Sequence, residues 1–135
     1  MKNVFIDTNV LLDFVTQREC FENACDIFHL CEDKKVKLFT SYLSMANTAY
    51  VARKGRTKEE LYFVIKGLSE IIEVLAMDKK QLNDVLTIKA SDMEDAMQYV
   101  CAKEFNCDVI VTRNTKDFSF SEIPILTPKQ FLEKY

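Results

Sequence analysis

The sequence predicts an α/β domain, a three-layer α/β/α sandwich built on a central, mostly parallel five-stranded sheet. Short apolar runs alternate with segments of helical periodicity along the whole chain, a pattern typical of a parallel sheet with helices on both faces. The 135 residues have the length of one domain, so we expect residues 1–135 to form a single unit. With only two Gly and two Pro, the composition argues against disorder and against a turn-rich all-β protein.

The predicted strands are short and rich in Val, Ile, Phe and Leu, and they span residues 3–6, 37–40, 71–76, 108–112 and 124–126. Helical spacing of apolar residues covers residues 9–15, 20–33, 43–54, 57–69, 78–87 and 92–105. Thr57 is followed three residues later by Glu60, and Ser91 by Glu94. Both pairs have the spacing of a capping box, so we expect helices to begin there.

Composition and charge narrow the function classes. The net charge of −3 gives no global field that favours nucleic acid, although basic residues cluster near residues 34–37 and 53–58. The five cysteines form no CxxC pair, and an odd count without metal-ligand spacing indicates reduced thiols in a cytoplasmic protein. A strand is predicted directly after Met1 and no apolar run approaches membrane-spanning length, so we expect neither a signal peptide nor a membrane partner.

Carboxylates stand where the predicted elements would bring them together. Asp7 ends the first apolar run, Asp95 lies in the first turn of the sixth helix beside Asp92 and Glu94, and Asp117 follows the fourth strand. Ligands of parallel sheets lie at the carboxyl ends of the strands where strand order reverses, and the first and fourth strands are plausible neighbours there. Such a cluster repels itself unless a cation occupies it, and oxygen ligands suit Mg²⁺ or Mn²⁺.

Each of these segments also has an interpretation without chemistry. In this interpretation Asp7 serves only to cap the following helix, with Thr8 and Asn9 as local polar partners. Acids at the start of a helix are stabilised by its dipole whatever their function. The polar residues after the fourth strand are compatible with a surface turn. The chain offers no competing nucleophile, since the sole histidine, His29, reads as an ordinary helix residue and the two glycines cannot form a phosphate-binding loop.

Four segments resemble the PIN-domain family, in order and over essentially the whole chain. They are the run from Phe5 to Asp13, Thr40-Ser41 leading into Ala46-Asn47, Glu94-Asp95-Ala96, and the run from Ile110 to Phe118. The chain is similar to the toxin half of VapBC toxin–antitoxin pairs. The resemblance implies a Mg²⁺- or Mn²⁺-dependent ribonuclease that hydrolyses RNA phosphodiester bonds, forms a homodimer and binds a cognate antitoxin protein.

The resemblance also implies a set of site residues. Asp7 and Asp95 match the family's first and third acids, and the fourth position falls on Asn114 with Asp117 close by. The implied catalytic residues are Asp7, Asp95 and Asp117, and the implied metal ligands are those three with Asn114. Residues expected at the edge of the site are Thr8, Asn9, Asn47, Asp92, Glu94, Thr112 and Arg113.

Asn47 is the departure from the family pattern, because the second acid is usually a glutamate at this position. An amide oxygen can ligate Mg²⁺ but brings no negative charge. Two hypotheses from different classes follow. One is an active metal-dependent endoribonuclease, and the alternative is a catalytically weakened PIN-fold module that binds RNA or a protein.

Overall fold

The structure is a computed structural model that describes residues 1–135. Its strands are β1 (Lys2–Ile6), β2 (Val36–Ser41), β3 (Glu73–Leu75), β4 (Val109–Val111) and β5 (Ile125–Leu126). Its α-helices are α1 (Thr8–Val15), α2 (Phe21–Glu32), α3 (Tyr42–Ala52), α4 (Lys58–Ile71), α5 (Lys79–Ile88), α6 (Met93–Glu104) and α7 (Pro128–Lys134). A 3-10 turn, Thr115–Phe118, lies between β4 and β5.

The five strands form one sheet in the order β3-β2-β1-β4-β5, and every neighbouring pair is parallel. The chain leaves β1 toward β2 and β3 on one side and returns to β4 and β5 on the other. The strand order therefore reverses between β1 and β4, where Ile6 pairs with Val111. A crevice at the carboxyl ends of these two strands is the expected ligand position in such a sheet.

Side chains that alternate along β1 divide between two cores. Val4 and Ile6 join a cluster of 17 buried residues on one face, and Phe5 joins a cluster of 12 on the other. The first core receives buried side chains from α1–α4 and α7, and the second from α5 and α6. This confirms the predicted α/β/α sandwich. No helix combines the length and apolar character that crossing a membrane requires.

The elements follow the sequence prediction, and the main differences lie at the α4–β3 boundary and at α7. Helix α4 extends to Ile71, so β3 is shorter than the predicted strand 71–76. Helix α7 is missed by the periodicity argument because seven residues hold too few apolar repeats, although Thr127 and Gln130 form a capping box around Pro128. The capping box expected at Thr57 and Glu60 is present.

The capping box expected at Ser91 and Glu94 is wrong. Asp92 caps α6 instead, since its carboxylate accepts a hydrogen bond from the backbone N–H of Asp95 at 3.1 Å. An aspartate is as good a cap as a serine, and the helix begins one residue later than the Ser91 spacing suggests.

Candidate active site

Asp7 stands at the centre of the candidate site, at the junction of β1 and α1. Its backbone N–H donates to the carbonyl of Val111 at 3.0 Å, so its Cα is held by the β1–β4 ladder. Its side chain is buried; Oδ1 accepts from the N–H of Thr8 at 2.8 Å and Oδ2 from the hydroxyl of Thr112 at 2.8 Å. Asp7 is thus both the cap of α1 and a fixed, buried carboxylate.

Asn9 joins the start of α1 to the loop that follows β4. Its Nδ2 donates to the Thr112 hydroxyl at 3.1 Å and lies 3.4 Å from Oδ2 of Asp7. Its Oδ1 accepts from the backbone N–H of Arg113 at 3.1 Å, and the N–H of Asn114 donates to the Thr112 hydroxyl at 3.1 Å. The predicted residues on these two segments therefore form one hydrogen-bonded unit.

The acids of α6 and of the 3-10 turn lie close enough to this unit for their charges to affect one another's pKa values. The pKa of Asp95 is raised to about 7, chiefly by burial and then by the charges of Asp7, Asp92, Asp117 and Glu94, in that order. The pKa of Asp7 is raised to about 6, chiefly by burial. The hydrogen bonds from Thr112 and Thr8 lower this pKa, and the charges of Glu94 and Asp92 raise it, and the value of about 6 includes all of these effects. Carboxylates from three distant segments therefore repel one another across one crevice.

Asn47 lies at the edge of the same crevice, on α3. Its Nδ2 donates to Oε1 of Glu94 at 2.9 Å, which joins α3 to the first turn of α6. The side chain therefore points neither into the core nor freely into solvent. It neutralises no charge, but it restrains one of the acids beside Asp95.

A buried polar chain beneath the acids was not predicted from the sequence. Ser41 donates to Oε1 of Gln98 at 2.6 Å, and Thr8 donates to the hydroxyl of Ser44 at 2.9 Å. Nε2 of Gln98 lies 3.5 Å from the Thr8 hydroxyl, and its side chain is fully buried. This chain ties α1, α3 and α6 together, and a glutamine within the apolar stripe of α6 was its sequence signal.

Arg113, predicted at the site edge, points away from the acids. Its Nε lies 2.7 Å from Oδ2 of Asp13, which is buried in α1, and its Nη1 lies 3.0 Å from Oε2 of Glu19. Asp13 belongs to the first motif but receives no role from the sequence. Its position among the buried residues of α1 was the signal that it needed a partner.

The donor chemistry at the crevice fits a hard divalent cation. The side chains there supply carboxylate, amide and hydroxyl oxygens, and a cation would stabilise the charge of the buried Asp7 and the half-buried Asp95. No three Asp, Glu, His or Cys side chains lie close enough as they stand to form a complete metal-holding group. A cation here would therefore rely on water for part of its coordination, as Mg²⁺ commonly does.

Comparisons with known proteins agree with this fold. The chain is 28% identical to the ribonuclease VapC1 of Aquifex aeolicus, over 99% of this chain and 96% of that protein. The fold is similar to a toxin–antitoxin complex from Klebsiella pneumoniae, with a TM-score of 0.71 and 21% identity over 93% of this chain and 97% of that one.

A second solved structure, VapBC-1 from nontypeable Haemophilus influenzae, has a TM-score of 0.68 and 18% identity over 94% of this chain and 98% of that one. The model of the PIN domain family matches residues 3–116, which include every residue of the crevice except Asp117. The chain therefore belongs to the PIN domain family.

Proposed function

We propose that this protein is a metal-dependent endoribonuclease of the VapC type and the toxin of a toxin–antitoxin pair. The observation that carries the proposal is the crevice between β1 and β4, where Asp7 and Asp95 have strongly raised pKa values within a PIN fold. The likeness to a ribonuclease over nearly the whole length of both chains supports the same reaction.

The metal ligands would be Asp7, Asp95, Asn114 and Asp117, with Mg²⁺ or Mn²⁺ as the ion. Such an ion would supply Lewis acidity for the hydrolysis of a phosphodiester by water. The protein's part is to fix the ligands. The backbone N–H of Thr8 and the hydroxyl of Thr112 each hold one oxygen of Asp7 before any substrate binds.

The residues around these ligands shape the crevice. Asp92 and Glu94 add negative charge that favours a dication, and Asn47 restrains Glu94 through its amide. Asn9 accepts a hydrogen bond from the backbone N–H of Arg113, the residue before Asn114. The candidate ligand Asn114 therefore stands on a loop that is fixed to α1.

The test is the variant Asp7→Asn with a random-sequence single-stranded RNA library as substrate and Mn²⁺ as the ion. We expect the wild type to cleave the library only when Mn²⁺ is present, and Asp7→Asn to lose cleavage by at least about 100-fold, because a buried ligand charge is gone. The matched control is Asp26→Asn, an exposed carboxylate on α2 that takes no part in the crevice. Equal activity of Asp7→Asn and wild type would contradict the proposal.

The alternative function is an RNA- or protein-binding module with weakened catalysis. The observation that favours it is Asn47, an uncharged residue where the family resemblance implies a glutamate. In that case the wild type would bind the RNA library, measured by fluorescence anisotropy, without cleaving it at any Mn²⁺ concentration.

We propose an antitoxin as the protein partner, and α4 offers a surface for it. Tyr62 and Phe63 are 67% and 80% exposed there, and Lys58 lies beside the Tyr62 ring. An exposed aromatic pair next to positive charge suits an amphipathic, acidic segment of a partner. The likeness of the fold to the toxin–antitoxin complex from Klebsiella pneumoniae supports the same kind of partner.

We propose a homodimer through a second apolar surface. A groove of about 490 Å³ is lined by seven apolar residues of α3 and the β3 edge: Tyr42, Leu43, Ala46, Val74, Leu75, Ala76 and Met77. Leu43 and Met77 also line the next groove, beside Leu82 of α5. Because the first groove has no charged side chain, the same neutral face of a second copy can cover it.

All five cysteines are unpaired, which supports a reducing, cytoplasmic location.

A further inference from the structure

An ion pair outside the acidic crevice ties the body of α1 to the loop that carries Asn114. We propose that Asp13 is a positioning residue, which acts through Arg113 to hold the loop from Thr112 to Asn114 in the arrangement that the candidate metal site needs. This inference rests on the proposed metal-dependent ribonuclease and assigns a role to a residue outside its ligand set.

Asp13 is buried with one positively charged partner. Its side chain is 1% exposed, and Oδ2 lies 2.7 Å from Nε of Arg113 and accepts from the backbone N–H of Cys20 at 3.3 Å. Oδ1 has no hydrogen-bond partner, and the Nε contact is an ion pair without aligned hydrogen-bond geometry. A carboxylate so buried strongly favours keeping its counter-charge in place, because losing the partner leaves an unpaired charge in the core.

The cation that Asp13 holds belongs to the site loop itself. The backbone N–H of Arg113 donates to Oδ1 of Asn9. The residue before it, Thr112, donates to Asp7, and the N–H of the residue after it, Asn114, donates to Thr112. A displacement of the arginine side chain therefore moves the loop whose Thr112 hydroxyl donates to Asp7 and whose Asn114 N–H donates to that hydroxyl.

The loop is anchored to α1 at two separate points. Asn9 holds its backbone from the first turn, and Asp13 holds the Arg113 side chain from a position one turn further along the helix. Glu19, whose side chain is 73% exposed, adds a weaker contact at 3.0 Å from the same arginine. Two anchors on one rigid helix fix the direction of the loop as well as its position, which a single hydrogen bond would not.

The test is Asp13→Asn, which keeps the shape of the side chain and removes its charge. We expect kcat for Mn²⁺-dependent cleavage of the single-stranded RNA library to fall by about 10- to 100-fold, the range typical of residues that orient metal ligands. The KM for RNA should stay within about twofold, because no RNA contact is removed. Mn²⁺ affinity, measured by calorimetry without RNA, should weaken by a comparable factor.

A residue that only stabilises the fold would not alter the loop selectively. We therefore expect amide hydrogen exchange at Arg113 and Asn114 to accelerate in Asp13→Asn, while amides of the β1–β4 ladder keep their wild-type rates. If Asp13→Asn does not fold, Arg113→Lys takes its place. Lysine keeps a counter-charge for Asp13, but it cannot contact Asp13 and Glu19 as the guanidinium does, so hydrogen exchange in the loop should accelerate in the same way. The control is Glu122→Gln, which removes an exposed ion pair with Lys103 and should change none of these quantities.

The double variant Asp13→Asn/Arg113→Gln isolates the route of the effect. If Asp13 acts through Arg113, the double variant cleaves RNA no more slowly than the slower single variant. The inference would be overturned if the losses in kcat of the two single variants multiplied in the double variant. It would also be overturned if the amide hydrogens of Arg113 and Asn114 exchanged at wild-type rates in Asp13→Asn. A wild type that cleaves no RNA would overturn the proposed function instead, and the exchange rates would still decide whether Asp13 positions the loop.

Discussion

Asp7 combines a position that fixes its geometry with an environment that opposes its charge. Hydrogen bonds to both oxygens hold the carboxylate, yet burial raises its pKa from 3.8 to about 6. Asp95 is raised from 3.8 to about 7, also chiefly by burial. Metal-free protein therefore carries two carboxyls that bind protons more tightly when folded than when unfolded.

This predicts an unusual pH dependence of stability. Between about pH 4 and pH 7 the folded chain holds more protons than the unfolded chain, so the free energy of unfolding falls as the pH rises. Asp7→Asn removes the Asp7 part, on the order of 2 kcal/mol. It should be more stable than the wild type near pH 8 and lose that advantage near pH 4. Urea unfolding in a chelator measures this, and Asp26→Asn should behave as the wild type; a less stable Asp7→Asn near pH 8 would contradict the argument.

Asn47 gives a second prediction for single residues. Asn47→Glu replaces a hydrogen bond to Glu94 with a repulsion, so metal-free stability should fall by roughly 0.5 kcal/mol. The added charge should tighten Mn²⁺ binding, because negative charge near a dication is favourable in a partly desolvated crevice. Calorimetric titration measures the Mn²⁺ affinity, and the control Asn47→Ala, which adds no charge, should bind Mn²⁺ no more tightly than the wild type. Unchanged affinity of Asn47→Glu would place this residue outside the metal site.

Among the helices, α6 is joined to the end of β2 by a buried polar contact. Gln98 lies one turn after Asp95, and its Oε1 accepts a hydrogen bond from the hydroxyl of Ser41. The same hydroxyl also caps α3. The variant Gln98→Leu leaves that hydroxyl without its acceptor, and we expect a loss of about 2 kcal/mol in the free energy of unfolding. Ser41→Ala should add much less in the Gln98→Leu background than in the wild type, as measured by urea unfolding of the four proteins. Additive losses would mean that the two side chains act independently.

Elements whose residues follow one repeating pattern were predictable from the sequence, and features that depend on distant partners were not. The strands that end at Asp7 and before Asn114 are unbroken apolar runs, and their pairing follows from the rule on strand reversal. The placement of Asp13 and Gln98 depends on partners about 100 and 57 residues away, which no local pattern encodes. Helix α7 is a short element, and its apolar repeat is too brief for periodicity to detect.

For the molecule as a whole, the family and the α/β/α fold are confirmed, while the ligand set and the assembly stay predictions. The fold places the acids at one edge of the sheet and leaves two apolar surfaces on helices. One is the exposed aromatic pair Tyr62 and Phe63 on α4, and the other is the groove of α3 and the β3 edge, where Tyr42 is 69% exposed. A surface of this kind usually marks an interface with another protein.

We expect the wild type to migrate in light-scattering chromatography with twice the 15.7 kDa mass of the chain. Tyr42→Glu places a charge in the groove of α3 and the β3 edge and should give monomers, since burying an unpaired carboxylate in an interface is costly. Phe63→Glu carries the same charge on α4 and should leave the dimer intact. A Tyr42→Glu protein that remains dimeric at micromolar concentration would rule out this groove as the interface.

The two cores on either side of the sheet differ in one property that an experimenter can use directly. The core against α5 and α6 contains two buried thiols, Cys101 and Cys107, whose pKa values are raised to about 12 mainly by burial. The buried residues of the opposite core include no cysteine. Thiols so protonated and enclosed react with alkylating reagents only when their layer opens. Timed alkylation followed by mass spectrometry can thus report the opening of one half of the molecule, with no label added.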